Sequence, residues 1–426
     1  RSGFKITGSG YCGPMEQTGC VIVGGGPGGV MLAYLLARQG VEVTLLEAHR
    51  DFDREFRGDS LHPYTLELLD RLGLAEALLR LPHVPAERFR MHTPAGTVTT
   101  SDYARVPSRF PYVALMPQAR FLDFLSEQAS RLPTFRLITG ARVRDLVTDD
   151  AGVVRGVGWR DDDGDHRLHG RLVVAMDGRN SRLRRLADLP LTKLGASTDL
   201  LWFRLPRLPS DPPEADVDLY FGRRSYVGLL GGDDDWQVGY TLPKGGYAAA
   251  REAGPEPIRR FLREHLSWLG DRIDLLTDFT EQTTLLSVEI SRLERWHRPG
   301  LLLLGDAAHV ISPVGGNGIL MAIQDAVAAS NLITGPLLAG ADPVPEHVLA
   351  AVQDARMPAI RRVQADQASI ERRAARARER DRPLVPGRLL RVVTALPGVR
   401  ARSARANAYG PQPPELRLIE AAAQPA

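Results

Sequence analysis

The period of the apolar positions changes along the chain. Residues 20–23 form a short apolar run that ends in glycines, which predicts a buried strand. Residues 27–39 carry Val30, Leu32, Ala33, Leu35 and Leu36 at helical spacing, and Gly40 stops the helix. Residues 41–47 read as a second strand. Strand, helix and strand in this order predict a parallel pair with a right-handed crossover. Residues 61–79 read as one or two helices interrupted at Gly73, and 120–131 as another. Residues 135–138, 141–148 and 153–159 predict strands, and 171–175 a further strand ending at Asp177-Gly178.

From 195 to 286 the pattern becomes β-rich and alternating, in runs at 200–205, 217–221, 225–230 and 236–242. Turn clusters, Asp211-Pro-Pro and Gly231 through Asp235 among them, separate these runs, so an antiparallel sheet is expected. A helix over 256–269 follows. Residues 301–304 are a fully apolar strand ending at Gly305-Asp306, and 318–332 a long apolar helix. Beyond Pro345 the chain is helical and arginine-rich to about Arg382, and the last thirty or so residues have little periodicity. No internal repeat is visible.

Composition narrows the class. With 426 residues, two to three domains are expected, and 43% apolar with 25% charged residues is an ordinary globular balance. Cys12 and Cys20 cannot build a disulfide scaffold, so a reducing, cytoplasmic setting is the expectation. A net charge of +3 makes no case for nucleic acid. The positive charge is nearly all arginine, with Lys5, Lys193 and Lys244 the lysines. Residues 1–14 read as an appended leader, with Met15 as the expected native start. No apolar run reaches about 18 residues, so no membrane span is expected.

Candidate chemistry begins at Gly24-x-Gly26-x-x-Gly29, between the first strand and helix. Gly24 permits the tight turn, Gly26 lets backbone approach a pyrophosphate, and Gly29 allows close helix–strand packing. Pro27 and Gly28 complete the loop, and the helix N-terminus faces the anion. Glu47 ends the second strand, where a carboxylate would accept hydrogen bonds from an adenosine ribose. Two later segments follow strands. Asp177-Gly178-Arg179-Asn180-Ser181-Arg182-Leu183-Arg184 fits D-G-x-x-S-x-x-R, and Gly305-Asp306-Ala307-Ala308-His309 precedes Pro313-Val314-Gly315-Gly316-Asn317-Gly318.

These three motifs, in this order and at about these distances, resemble the single-component flavin monooxygenases related to para-hydroxybenzoate hydroxylase, of actinobacterial type. The resemblance covers roughly residues 17–338. It implies an α/β fold: a Rossmann-like FAD-binding domain, an inserted antiparallel-sheet substrate domain and a C-terminal helical region. The expected FAD-binding parts are 15–84, 115–193 and 285–340, the substrate-binding parts 85–114 and 194–284, and the helical region 341–426.

The resemblance implies FAD as cofactor and NAD(P)H as a transient co-substrate, which suits the lack of a second G-x-G-x-x-G. The implied reaction uses O₂ and a flavin C4a-hydroperoxide to hydroxylate an aromatic or polyketide-like molecule. It also implies that Arg57 reaches the pyrophosphate or adenosine region, that Gln118 touches the ribityl chain, and that Asp177, Gly178 and Arg184 serve FAD and nicotinamide. Asp306 would accept from a ribityl hydroxyl. Gly315, Gly316 and Gly318 would lie against the flavin ring, with positive helix-end charge near its pyrimidine edge. Asn317 departs from the glutamine of many relatives.

Catalytic candidates are His62 and the backbone of Pro313, while His309 is read as support for its loop. Substrate candidates from the β-rich insert are Trp202, Arg204, Tyr220, Tyr226, Leu229, Trp236 and Tyr240. No His/Cys/Asp cluster has metal spacing, so no metal is expected. The C-terminal arginines read as a solvated helix face or, alternatively, a membrane-surface patch. A monomer or homodimer is expected. Competing readings on the same fold are epoxidation, N-hydroxylation, Baeyer–Villiger oxidation, or a non-oxygenating oxidase or dehydrogenase. A non-enzymatic flavin-binding regulator is a further class. Halogenation would need a W-x-W-x-I-P segment and a catalytic lysine, and no such segment is present.

Overall fold

The computed structural model describes residues 16–53, 60–212, 214, 216–313 and 316–419. The first strand, β1 (Glu16–Val23), leads into α1 (Pro27–Arg38) and β2 (Val43–Leu46). Further along come α2 (Gln118–Ser130), β3 (Phe135–Ile138), β4 (Asp165–Ala175) and β5 (Leu301–Leu303). The five strands pair in parallel in the order β5-β4-β1-β2-β3. Register is continuous through the centre: Cys20 lies between Val43 of β2 and Leu172 of β4. The last four residues of this central strand, Cys20 to Val23, read as an unbroken apolar run because both faces are covered there.

β4 is longer than the period predicts. Its first half, half-buried and polar, pairs antiparallel with Val154–Arg160, which in turn pairs with Arg142–Thr148. Two long helices follow β5: α3 (Gly318–Leu338) and α4 (Glu346–Glu379). α3 is long and apolar enough to cross a membrane, but 72% of its apolar window is buried inside the protein. It packs on α1 and against α4. The α1–α3 contact is close: a Cβ at Gly28 would lie 2.8 Å from the Ala322 carbonyl oxygen.

A second, seven-stranded sheet stands beside this core. Its strand order is Thr284–Leu286, Thr198–Pro206, Asp235–Pro243, Tyr226–Gly231, Val217–Phe221, Arg88–Thr93 and Gly96–Asp102. It is antiparallel except where Val217–Phe221 pairs in parallel with Arg88–Thr93. The helix Glu256–His265 covers one face, burying Ile258, Phe261 and Leu262 against Phe203, Val227 and Val238.

Beyond Arg382 come two helices, Gly387–Ala395 and Val399–Tyr409, the second of them within the stretch with little periodicity. The second packs on strand Gly96–Asp102 through buried Ala404 and Ala408, with Ser403 and Ser101 hydroxyls 2.8 Å apart. Small residues allow this close approach but produce no hydrophobic periodicity, which is why the pattern hides the helix.

Candidate active site

At the carboxyl ends of β1, β2, β4 and β5 the backbone borders a single cavity of about 740 Å³. Ligands in open parallel sheets sit at this end of the strands. Gly24 has φ +108° and turns the chain under Met176; a Cβ there would lie 2.3 Å from the Met176 oxygen. A Cβ on Gly29 would lie 2.0 Å from the Gly24 oxygen, so α1 can sit on the turn only with glycine at that position. Gly26 differs: a Cβ would meet nothing within 4 Å, because its α-carbon faces the cavity. Pro27 starts α1, no side chain caps the helix, and its first turn holds no acid. Its free amides and positive end therefore face the cavity, a ready anion seat.

Glu47 is buried at the end of β2. One carboxylate oxygen accepts the Gly25 N–H at 2.7 Å and the other the His49 N–H at 2.9 Å. A carboxylate has about four lone-pair sites, so Glu47 can hold this turn and still accept hydroxyls from the cavity. Asp177 caps the next turn: its Oδ2 accepts from the amides of Arg182 at 2.7 Å and Leu183 at 3.1 Å. Its Oδ1 is buried at the cavity wall with no protein partner. A buried acceptor without a donor is costly, and a ligand hydroxyl would satisfy it. Together with the open Gly26 cradle, this shows that the wall fits a dinucleotide such as FAD.

Arg184 does not line the cavity. It is buried, and its guanidinium donates to the Ala307 carbonyl at 3.0 Å and the Arg179 carbonyl at 2.8 Å. It is a strut between the second and third motifs, where the resemblance implied a contact with FAD or nicotinamide. Gly178, Gly305, Asp306, Pro313, Gly316 and Gly318 border the cavity, as does Gln118 at the start of α2. Asn317 instead sits at the N-cap of α3, with its Oδ1 buried and unpartnered. Arg57 and Gly315 lie outside the described residues.

His62 borders the cavity where α3 begins, and its Nε2–H donates to the Gly316 carbonyl at 3.3 Å. Burial lowers its pKa to about 4, against the pull of the Gly316 and Asn407 carbonyls. The ring is therefore neutral at neutral pH, which fits holding the loop better than delivering a proton as imidazolium. Cys20, buried in β1, has its thiol pushed up to about 12 by burial, against the opposing charge of Arg171, and is not a redox thiol. Among the described residues no three His, Cys, Asp or Glu side chains group as a metal site.

The seven-stranded sheet closes the far side of the cavity, and strand alternation sorts the substrate candidates. Trp202 and Tyr226 point into the cavity. Tyr220, Leu229, Trp236 and Tyr240 belong to the opposite, helix-covered face. There Tyr240 meets Phe261 edge-on at 5.6 Å, Trp236 donates to Asp211 at 2.8 Å, and Tyr220 stacks on His92 at 4.1 Å. These four are packing residues, not cavity contacts. Arg204 borders a smaller neighbouring chamber of about 170 Å³ and pairs with Asp235 at 3.1 Å. Residues absent from the expectation, among them Phe89, Val217, Leu219 and Gln237, complete the cavity wall. Their signal was the alternation itself, but which phase faces the cavity is not written in one strand.

A family model described as an FAD-binding domain matches residues 17–363. The chain belongs to this FAD-binding family. Among its relatives, the 6-methylpretetramide 4-monooxygenase of Streptomyces rimosus is 36% identical over 315 residues, covering 74% of each chain. The para-nitrophenol 4-monooxygenase of a Pseudomonas species is 26% identical over 325 residues, covering 72% of this chain and 75% of its own. Among solved structures, the anhydrotetracycline hydroxylase of Streptomyces rimosus superposes with TM-score 0.68 at 23% identity, covering 92% of this chain and 76% of its own. Family membership and these relatives identify the protein as an FAD-dependent monooxygenase of the para-hydroxybenzoate hydroxylase type.

Proposed function

We propose that this member of the family hydroxylates a planar, largely apolar aromatic molecule of polyketide or phenolic type, with NAD(P)H as a visiting reductant and O₂ as co-substrate. The observation that carries this reading is the continuity of the cavity from Gly26 and Glu47 at one end to Trp202 and Tyr226 at the other. A dinucleotide held at the first end would have room to extend toward the sheet wall. That wall is mostly apolar, and Arg204, on the same sheet, borders the neighbouring chamber and is paired with Asp235. A neutral ring system suits it better than a small clamped acid. The relatives act on ring compounds by their names, which supports the same reading.

Bound FAD supplies the redox and oxygen-activating chemistry. The residues of this chain hold it and keep the site dry. Glu47 would accept the adenosine ribose hydroxyls, and the start of α1 would receive the pyrophosphate. Asp306 would accept from a ribityl hydroxyl, Asp177 would serve FAD and the visiting nicotinamide, Gln118 would touch the ribityl chain, and Pro313, Gly316 and Gly318 would present backbone to the flavin ring. The roles of Arg57 and Gly315 rest on the family pattern. The parallel-sheet segments 15–84, 115–193 and 285–340 form the cofactor-holding part, and 85–114 with 194–284 the substrate-holding part.

The test follows NAD(P)H oxidation, O₂ uptake and product together, using isotopically labelled dioxygen and a panel of phenols and fused-ring hydroxyaromatics. One labelled oxygen in the product per NAD(P)H is the expected result. Oxidation of every bound aromatic without oxygen incorporation would replace the hydroxylase reading with that of an oxidase.

A further inference from the structure

Two glycines sit side by side in the middle of the substrate wall. Gly228 and Gly239 are directly paired across neighbouring strands, and both border the cavity. Leu219 is the cross-strand neighbour of Gly228, and Trp202 that of Gly239. The row across the sheet thus reads Leu219, Gly228, Gly239, Trp202. Neither glycine has a positive φ. Any residue could adopt their backbone, so conformation does not explain them. Glycine inside a strand weakens it, and commonly marks a place where something approaches the backbone closely.

One occupant is Trp202 itself. A Cβ at Gly239 would lie 3.2 Å from Cη2 of Trp202 and 3.3 Å from both Cζ2 and Cζ3. If the indole met Gly239 by its edge, the two flanking carbons would lie well beyond the central one. Their near equality means that the ring lies flat over the Gly239 α-carbon. One face of the indole rests on the sheet, and the other is left for the cavity. Beside it, a Cβ at Gly228 would already touch Leu219 Cδ2 at 3.4 Å. Strands are about 4.8 Å apart, and the indole stands one ring thickness above the sheet, so the bare Gly228 backbone floors a shallow slot between the indole and Leu219.

We infer that Gly228 and Gly239 set substrate size: Gly239 lets the indole lie down on the sheet, and Gly228 keeps open the slot beside it, which gives a fused-ring system room for a further ring. The inference rests on the aromatic-substrate reading above and adds the number of rings. A single ring does not need the slot. A side chain at 228 fills it, and one at 239 lifts the indole off the sheet into the cavity.

The test uses FAD-loaded protein and two probes, a hydroxyanthraquinone with three fused rings and phenol with one. Binding is read by perturbation of flavin absorbance, which needs no turnover. The parent is expected to bind the anthraquinone more tightly. Gly228→Val and Gly239→Ala are each expected to weaken anthraquinone binding about tenfold or more, the scale of one misplaced methyl in a fitted pocket, while phenol binding changes much less. Trp202→Leu removes the indole wall of the slot without adding bulk, so it covers the case in which a glycine variant fails to fold, and it should show the same selective loss. Variants with normal FAD content that bind the anthraquinone as the parent does, or that lose both probes equally, overturn the inference alone. A parent that binds neither probe overturns the aromatic-substrate reading and this inference with it.

Discussion

Asp325, on α3, accepts the backbone amide of Gly305 at 3.0 Å from twenty residues away in sequence. The same Oδ2 receives His309 Nε2 at 2.6 Å, and Oδ1 receives Arg356 Nε at 2.8 Å. Asp325, His309 and Arg356 are all fully or almost fully buried. The turn that carries Asp306 is therefore fixed by a helix it precedes, and that helix is tied to α4 by a charged pair away from water. α4 does more than present arginines to solvent.

Asp325→Asn should be strongly destabilising. It leaves the buried Arg356 guanidinium without its counter-charge, and breaking a buried pair in this way costs about 3–5 kcal/mol. Burial would raise the Asp325 carboxyl, but His309 and then Arg356 hold it below the ordinary carboxylate value. Its contribution is thus complete above the unfolded carboxyl pKa and is lost as pH falls through the lower folded value. Thermal melts followed by flavin fluorescence should show earlier FAD release in the variant. An unchanged melting point would mean that the network is not what holds the motif.

His62 predicts a second acid dependence. Its pKa drops from 6.5 to about 4 on folding, so the folded state prefers the neutral ring. Its contribution is full above pH 6.5 and is lost as pH falls from there toward 4, amounting to roughly 3 kcal/mol at most. His62→Gln should lose less stability than the parent between those pH values. Parallel melting curves for the two proteins across that range would remove the burial argument. The same shift predicts that a pH–rate inflection between 6 and 8, if seen, survives this substitution.

Asp306→Ala tests the cofactor seat. Asp306 is half-buried on the cavity wall. Removing a charge-assisted hydrogen bond should cost about 1.5–3 kcal/mol, which is more than a tenfold loss of FAD affinity. Titration of apoprotein with FAD, followed by flavin fluorescence quenching, measures it. Equal affinities would place the third motif away from the cofactor.

Asn317→Asp tests which way α3 points. Gly316 has φ +66° and cannot take a side chain without strain, so the charge must be placed one residue on. Helix-end charge effects are about 0.3–1 kcal/mol, and up to ~2 in partly buried sites. An added carboxylate should therefore lower the flavin reduction potential and slow reduction by NAD(P)H. Spectroelectrochemical titration decides it. A potential at or above that of the parent, with FAD fully bound, would show that the flavin does not lie at this helix end.

Much of the cofactor end was legible in the chain because its information is local. A short apolar strand, a glycine turn and an amphipathic helix each follow from a few neighbouring residues, and Gly24, Gly26 and Gly29 are separated by what each must avoid or admit. The acid at Glu47 and the strand ends at Asp177 and Asp306 follow from the same period. β1 begins earlier and β4 extends further than the period predicts, because the exposed start of β1 and the polar, half-buried first half of β4 carry no apolar signal.

The substrate end depended on tertiary structure. Alternation along a strand separates two faces but does not say which is covered, and Trp, Tyr and Leu suit either. Helix Glu256–His265 claims the face of Trp236, Tyr240 and Leu229, and so leaves Trp202 and Tyr226 to the cavity. Arg184 became a strut because the distant Ala307 carbonyl is brought within its reach, beside the local carbonyl of Arg179. Gly228 and Gly239 are unremarked in one dimension and meet only through strand pairing. Local propensities chose the elements; packing between elements far apart in the chain chose which side chains face the substrate.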